Sequence, residues 1–433
     1  MKIKSIILFL ICCLLACSKP KPAEISGTEV DKVLGEMTEL MIHDVSNPPL
    51  AMRFYSYACL GAYATFVAQD PKLPAIHQQL NDFPSLPSLD FTGADPALAS
   101  LFTMMDISSR MQPSGGMMKA WKQKYVDSLR NQGFDSEVIE KSQVIASQIS
   151  PIILGYAKAD RYNKISNFPR YTPSKVEGKW YPTPPGYFAA VEPYFSSIRP
   201  YTLQDSLLTS LQIQAPIPFS KTKNSTFYQA SDEVYQAGKK EDERKIAAFW
   251  DCNPFALSDN GHLLIGVKKI SPGAHWMGIS GIVCAQKKLS FGPSLLVRTV
   301  LSIGLLDAFW ICWREKYHSN RIRPETAIRK LIDPTWKPFL QTPPFPEYPS
   351  GHSTVSTTAA TLLTKLLGDN IAYTDTVEMR YGIPSRSFSS FHHAAEEASI
   401  SRFYGGIHFK DGITSGQEQG KKLGKYLLNK FNL

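Results

Sequence analysis

The sequence predicts an all-α protein, on three observations. Apolar residues recur at helical spacing over much of the chain, and no segment alternates convincingly in the manner of a strand. Of the 433 residues, 43% are apolar and only 20% charged, which is ample for a large buried core and unlike a disordered composition. The length suggests more than one unit, and the patterning divides near residue 230, into an N-terminal helical region (27–230) and a C-terminal helical domain (231–433).

The opening residues are of another kind. Lys2 and Lys4 precede an apolar run from Ile6 to Leu15, and Leu14-Leu15-Ala16-Cys17 resembles a bacterial lipoprotein signal with its lipobox. The run is too brief to span a bilayer comfortably. Cleavage would leave Cys17 as the first mature residue and the site of lipidation, and residues 18–26, with Ser18-Lys19-Pro20-Lys21-Pro22, form a tether. The expectation is an exported lipoprotein, in the periplasm or at the outer membrane, attached to the membrane through Cys17. No later segment reads as long and apolar enough for a membrane helix.

Periodicity places helices over Val30–Ile42, Pro49–Ala68, Ala97–Met111, Met117–Gln132 and Ser136–Asp160. Residues 166–230 are rich in proline and aromatics (Trp180-Tyr181-Pro182-Thr183-Pro184-Pro185; Ala215-Pro216-Ile217-Pro218-Phe219), which blocks long helices and predicts a connector wrapped on its neighbours. Helical patterning resumes over Ser231–Trp250, Leu295–Trp313, Ser353–Leu367, Ala394–Phe403 and Ile413–Phe431. Beyond the leader, Cys59, Cys252, Cys284 and Cys312 are scattered without metal-like spacing, so buried free thiols are expected ahead of a disulfide.

The net charge of +9 is not gathered into a basic stripe or an arginine-rich tail, so nucleic acid is not an expected partner. Part of the excess lies in Arg314, Lys316, Arg321 and Arg323. Lys316 and, after six residues, Arg323-Pro324 put a point charge and a planar fork near a helix end, a combination suited to an oxyanion. Pro349-Ser350-Gly351-His352 then leads into a helix. Ser350 offers a hydroxyl, Gly351 lets backbone approach an anion at a helix N-terminus, and His352 can exchange protons there. Finally Ser401-Arg402 is followed after five residues by His408, behind the turn Gly405-Gly406. Arg402 would complete a cationic cradle, and the His408 imidazole could coordinate a metal centre or attack phosphorus.

Taken in this order, the three segments resemble the signature of the type 2 phosphatidic-acid phosphatase and vanadium haloperoxidase superfamily. The resemblance implies helical bundles of the vanadium chloroperoxidase and acid phosphatase type, with the active site in the C-terminal bundle. It further implies an oxyanion held by Lys316, Arg323, Ser350, Gly351 and Arg402, with His408 bonded to its central atom and His352 as the acid-base group; Lys316 would also polarise the bound group. Two features are similar to the haloperoxidase branch. Phe345 lies five residues before Ser350, within Pro343-Pro344-Phe345-Pro346-Glu347-Tyr348-Pro349, and Trp313 lies three residues before Lys316 on what would be the halide side of the pocket. Gly178–Pro185, Phe249–Pro254 and Pro272–Trp276 extend the likeness upstream. One departure stands out, because the family has an Asp four residues after the last histidine and here that position is Gly412, with Asp411 beside it. Asp251 is then a candidate supporting acid.

The resemblance thus implies a vanadate cofactor, with His408 bonded to vanadium, and oxidation of a halide by hydrogen peroxide. The alternative is a cofactor-free phosphatase acting on a phosphate ester through a phosphohistidine at His408. A catalytically silent envelope lipoprotein would have lost its reactive groups, whereas both histidines and all three cations are intact. His392 and His393 with Glu396 and Glu397 read as a packed or solvated helix start rather than a metal site. His318 reads as a pocket-edge residue, and His275 as a residue near the entrance.

Overall fold

The computed structural model describes residues 24–259, 264–267 and 269–433. The leader with its Cys17, and residues 18–23 of the tether, lie outside them.

Five helices build the N-terminal part: α1 (Thr28–His43), α2 (Pro48–Val67), α3 (Pro96–Met111), α4 (Gly115–Asn131) and α5 (Ser136–Ala159). Local chemistry starts them. The Asn47 and Asp95 side chains each accept the backbone N–H three residues on, at 2.9 Å, with proline as the first helical residue of α2 and α3. Between α2 and the end of α5, Arg53 forks onto Asp160 (2.7 and 3.2 Å) and Tyr57 donates to the same carboxylate (3.0 Å), so this buried pair is fully engaged.

The proline-rich stretch carries only 3-10 turns and the four-residue α6 (Asp205–Leu208) before α7 (Thr226–Gln236). It packs on the body as a connector should. Trp180 N–H donates to Asn320 O, Val191 N–H to Pro344 O, and the Trp313 indole to Val191 O (2.9, 3.0 and 3.2 Å).

The C-terminal part comprises α8 (Glu241–Phe249), α9 (Pro272–Gln286), α10 (Phe291–Ser319), α11 (Pro324–Leu331), α12 (Gly351–Leu367), α13 (Phe391–Tyr404) and α14 (Lys410–Phe431). The single helix expected over Ser231–Trp250 is broken in two. Gly238 adopts φ +69°, and a side chain there would meet Tyr404 O at 2.2 Å. Two antiparallel hairpins, β1 (Leu257–Asp259) with β2 (Leu264–Gly266) and β3 (Tyr373–Asp375) with β4 (Arg386–Phe388), interrupt the helices. Three residues per strand are too few for an alternating pattern to register in the sequence.

Helix α10 corrects the expectation that no later segment could pass for a membrane span. It is long and apolar enough, yet 94% of its most apolar window is buried within the protein, among α1, α2, α9, α12 and α14. Its polar residues are paired: Arg298 reaches Asp31 (2.6 Å), and Asp307 accepts the backbone N–H groups of Tyr201 and Thr202 (2.8 and 2.9 Å). Helices α12 and α14 lie in backbone contact, since a Cβ at Gly416 or Gly420 would strike Ser350 O or Thr354 O. The largest core runs from Ile25 to Phe431, through both parts of the chain. Cys59, Cys252, Cys284 and Cys312 are buried and free.

Candidate active site

The three sequence segments meet at one end of α10. Lys316 sits in its last turn, Arg323 immediately precedes α11, Ser350 caps α12 and Gly351 begins it, Arg402 lies in the last turn of α13, and His408 closes the loop before α14. Gly351, His352, Arg402 and His408 line a single cavity, together with Trp313 and Phe345.

The cations are held rigidly. Lys316 Nζ donates to the carbonyls of Pro346, Glu347 and Pro349 (3.0, 3.0 and 2.5 Å), which uses all three of its donors. Arg323 Nε donates to Phe345 O and its Nη1 to Ile407 O, both at 2.9 Å, while Nη1 also lies 3.1 Å from His408 Nε2. Arg402 Nη1 donates to Trp250 O at 2.8 Å. Left over are Arg323 Nη2 and Arg402 Nε, both buried and without a partner. Ser350 Oγ accepts from Ser353 N–H (3.3 Å) and Ser353 O–H (2.9 Å), so its own proton remains to donate.

The histidines are oriented from behind. His408 Nδ1–H donates to Glu347 Oε1 at 2.7 Å, leaving Nε2 as the nitrogen with a lone pair. His352 Nε2 lies 3.2 Å from Trp250 O; a carbonyl can only accept, so this ring carries its proton on Nε2 and keeps Nδ1 free.

Three cations therefore converge where Glu347 is the carboxylate in direct contact, and the electrostatics register the imbalance. Burial, then repulsion from Arg402 and His408, holds His352 well below the ordinary imidazole range. Burial and the charges of Arg323, Lys316 and Arg402 do the same to His408. Burial, opposed by Glu347 and reinforced by Arg402, lowers the Arg323 guanidinium to about 9. Burial pushes the Lys316 ammonium down to about 7, while its three carbonyl acceptors favour the fully protonated form. An anion bound in the cavity would relieve all four. The unpartnered Arg323 and Arg402 N–H groups, the helix N-terminus at Gly351 and the unprotonated His408 Nε2 are the donors and ligand that a vanadate or phosphate group requires.

Trp313 and Phe345 form one wall, with ring centroids 4.9 Å apart. Several expectations are corrected. Arg321 is buried beside the pocket, its Nη1 2.8 Å from each Asp411 oxygen and 3.2 Å from Glu347 Oε2, whereas Arg314 and His318 are exposed along a separate groove, so His318 is not at the pocket edge. Asp251 pairs with Lys269 and acts electrostatically on Arg402 rather than on either histidine. His275 is wholly buried between acidic partners, away from any entrance. At the start of α13, in contrast, His392 and His393 are exposed and Glu397 pairs with Arg386 at 2.5 Å, which is a solvated helix start. Glu347 and the Trp250 carbonyl are functional groups that sequence reasoning missed. The room left at Gly412 was the available clue to Glu347, because a Cβ on residue 412 would stand 2.4 Å from Glu347 Oε1.

Residues 297–432 match the family described as the VCPO second helical-bundle domain. The chain is similar to a solved bacterial vanadium-dependent iodoperoxidase, with 38% identity over 95% of this chain and 98% of that one and a TM-score of 0.89. It also resembles the apo-type and holo-type structures of a bacterial vanadium-dependent chloroperoxidase, at 16% identity in each case. TM-scores are 0.64 and 0.61, and coverage is 89% and 96% of this chain and 94% of each of those, a likeness that speaks to fold alone. No curated protein matches. The helical architecture, the convergence of the three segments and the likeness along nearly the whole length lead to one assignment: the chain belongs to the vanadium-dependent haloperoxidase family.

Proposed function

We propose that this protein oxidises halide, iodide foremost, with hydrogen peroxide, using vanadate held at His408. The observation that carries the reading is the surplus of buried, unpartnered cationic donors around an unprotonated His408 Nε2. The preference for iodide is supported by the 38% identical iodoperoxidase.

When bound, vanadate supplies Lewis-acid activation of peroxide without change of oxidation state. The chain does the remainder. Glu347 fixes the His408 tautomer so that Nε2 presents its lone pair, and Arg323 Nη1 must give up its contact with that atom. Arg323, Arg402, the Ser350 hydroxyl and the first amide of α12 neutralise oxyanion charge. Lys316 would reach the bound group by releasing one of its three carbonyls. Neutral His352, with Nδ1 free, accepts the proton of the incoming peroxide. Trp313 and Phe345 supply a dry, polarizable wall suited to a large halide.

The test uses purified protein with orthovanadate, following peroxide-dependent oxidation of iodide and bromide beside hydrolysis of a generic phosphate ester. Vanadate-dependent iodide oxidation that disappears in His408→Ala is the expected result. Ester hydrolysis inhibited by vanadate, without halide oxidation, would instead assign a phosphatase acting through a phosphohistidine.

We further propose export and lipid anchoring through Cys17, supported by the charged, apolar and small-residue order of the leader. Metabolic labelling with a fatty acid should mark the wild-type protein and not Cys17→Ala; equal labelling would sink the idea.

A further inference from the structure

Behind the cavity, three segments distant in sequence bring a thiol, an imidazole and a carboxylate together. Cys252 follows α8, His275 lies in the first turns of α9, and Glu378 follows β3. All three are buried, at 2%, 0% and 4% exposure. Cys252 Sγ lies 3.3 Å from His275 Nδ1 and 3.3 Å from Glu378 Oε1, and His275 Nδ1 lies 3.1 Å from Glu378 Oε1. The three candidate donor atoms thus form a nearly equilateral triangle. A tetrahedral zinc ion with ordinary Zn–S, Zn–N and Zn–O bonds separates its ligand atoms by roughly 3.4–3.6 Å, so a relaxation of a few tenths of an ångström would seat one.

The other side of the imidazole is what a metal-bound histidine needs. His275 Nε2 is 2.7 Å from Asp375 Oδ2, and a proton on Nε2 given to that carboxylate leaves Nδ1 as the ligand atom. Asp375 is itself fixed by the Val377 N–H at 3.0 Å. We propose that Cys252, His275 and Glu378 form a zinc site adjoining the vanadate pocket and built from none of its oxyanion-holding residues, with Asp375 orienting its histidine. A mixed thiolate, imidazole and carboxylate set selects a borderline-soft ion over calcium or magnesium. No fourth protein donor is present among the described residues, and Cys252 also lines the catalytic cavity, so water completes the coordination.

Such a site would have a structural consequence. Trp250 stacks on His275, with centroids 4.9 Å apart and planes inclined by 30°, and the Trp250 carbonyl is the acceptor for both Arg402 and His352. Cross-linking Cys252 to His275 and to the segment after β3 would hold that carbonyl in place.

The experiment equilibrates purified, vanadate-free protein with zinc sulfate, removes unbound ion by desalting, and measures retained zinc by mass spectrometry. Wild type and His408→Ala, which lacks the catalytic imidazole, should each keep about one zinc per chain. Cys252→Ser and Glu378→Gln should bind roughly tenfold or more weakly. Cobalt(II) in place of zinc should give a thiolate-to-metal charge-transfer band in wild type that Cys252→Ser lacks. Failure of wild type to retain zinc, retention unchanged in both cluster variants, or loss of zinc in His408→Ala would each overturn the proposal. Should the cluster variants not fold, the cobalt spectrum of wild type decides alone: absence of the thiolate band overturns the site. None of these readouts depends on haloperoxidase activity.

Discussion

Glu347 Oε1 lies 2.7 Å from His408 Nδ1, in space that any side chain on residue 412 would contest. The carboxylate that orients the histidine therefore comes from the loop before α12, and Gly412 makes room for it. Phe409 N–H also donates to the same oxygen, at 3.2 Å, which fixes Glu347 further.

Glu347→Gln should weaken vanadate binding by about 10- to 100-fold, the usual consequence of removing a carboxylate behind a metal-bound histidine. Titrating peroxide-dependent iodide oxidation with orthovanadate measures it. Gly412→Asp alone should be destabilising, because the new side chain collides with Glu347, and Glu347→Ala combined with Gly412→Asp should recover part of the vanadate affinity by supplying the carboxylate from α14. Unaltered vanadate affinity in Glu347→Gln would refute this role.

The contribution of His408 to the stability of the vanadate-free protein should fall as the solution is acidified, while the buried His275 and Asp307, both held above their ordinary values, act in the opposite sense. His408 is almost completely buried and titrates in the fold well below its ordinary value of 6.5, so below that value the unfolded chain binds the proton that the folded chain refuses. The stabilising contribution is thus present above about pH 6.5 and is lost as pH falls toward the depressed folded value, at up to ~1.4 kcal/mol per pH unit. His352 shifts in the same direction, and its partial opening to the cavity makes its share smaller. Denaturant melts of wild type and His408→Ala between pH 7 and 5 would isolate the slope as the difference between the two proteins.

Gly351→Ala should fold normally and bind the oxyanion poorly. A Cβ there would sit 3.5 Å from Trp313 and 3.8 Å from Lys316 Cε, ordinary contact distances, so the scaffold tolerates it. Gly351 lines the cavity, however, and the methyl group would keep the anion from the first amide of α12. The expected outcome is a melting temperature close to wild type with vanadate affinity reduced roughly tenfold or more, about the worth of a charge-assisted hydrogen bond.

Asp160→Ala should cost about 3–5 kcal/mol, since it strands the buried Arg53 guanidinium and removes the acceptor of Tyr57. Equilibrium unfolding of the vanadate-free protein measures this away from the proposed catalytic residues. A change below about 1 kcal/mol would mean that water reaches Arg53 in the variant.

The amino-acid sequence by itself determined the helical architecture, the connector after residue 166 and the cationic and histidine groups of the pocket. Each of those signals is local: a period of 3.6, a capping side chain, a proline that stops a helix, or a short segment such as Pro349-Ser350-Gly351-His352. What only the tertiary structure decided are the partnerships across long separations. Glu347 stands 61 residues from His408, His275 stands 100 from Asp375, and the carbonyl of Trp250 serves Arg402 from 152 residues away. The positions of Arg314 and His318 were equally hidden, because a basic residue near a pocket in sequence turns toward whichever acid or solvent the packed helices offer it. Side-chain chemistry is written residue by residue, but hydrogen bonds form over about 3 Å, and which groups come that close depends on how α10, α12, α13 and α14 pack.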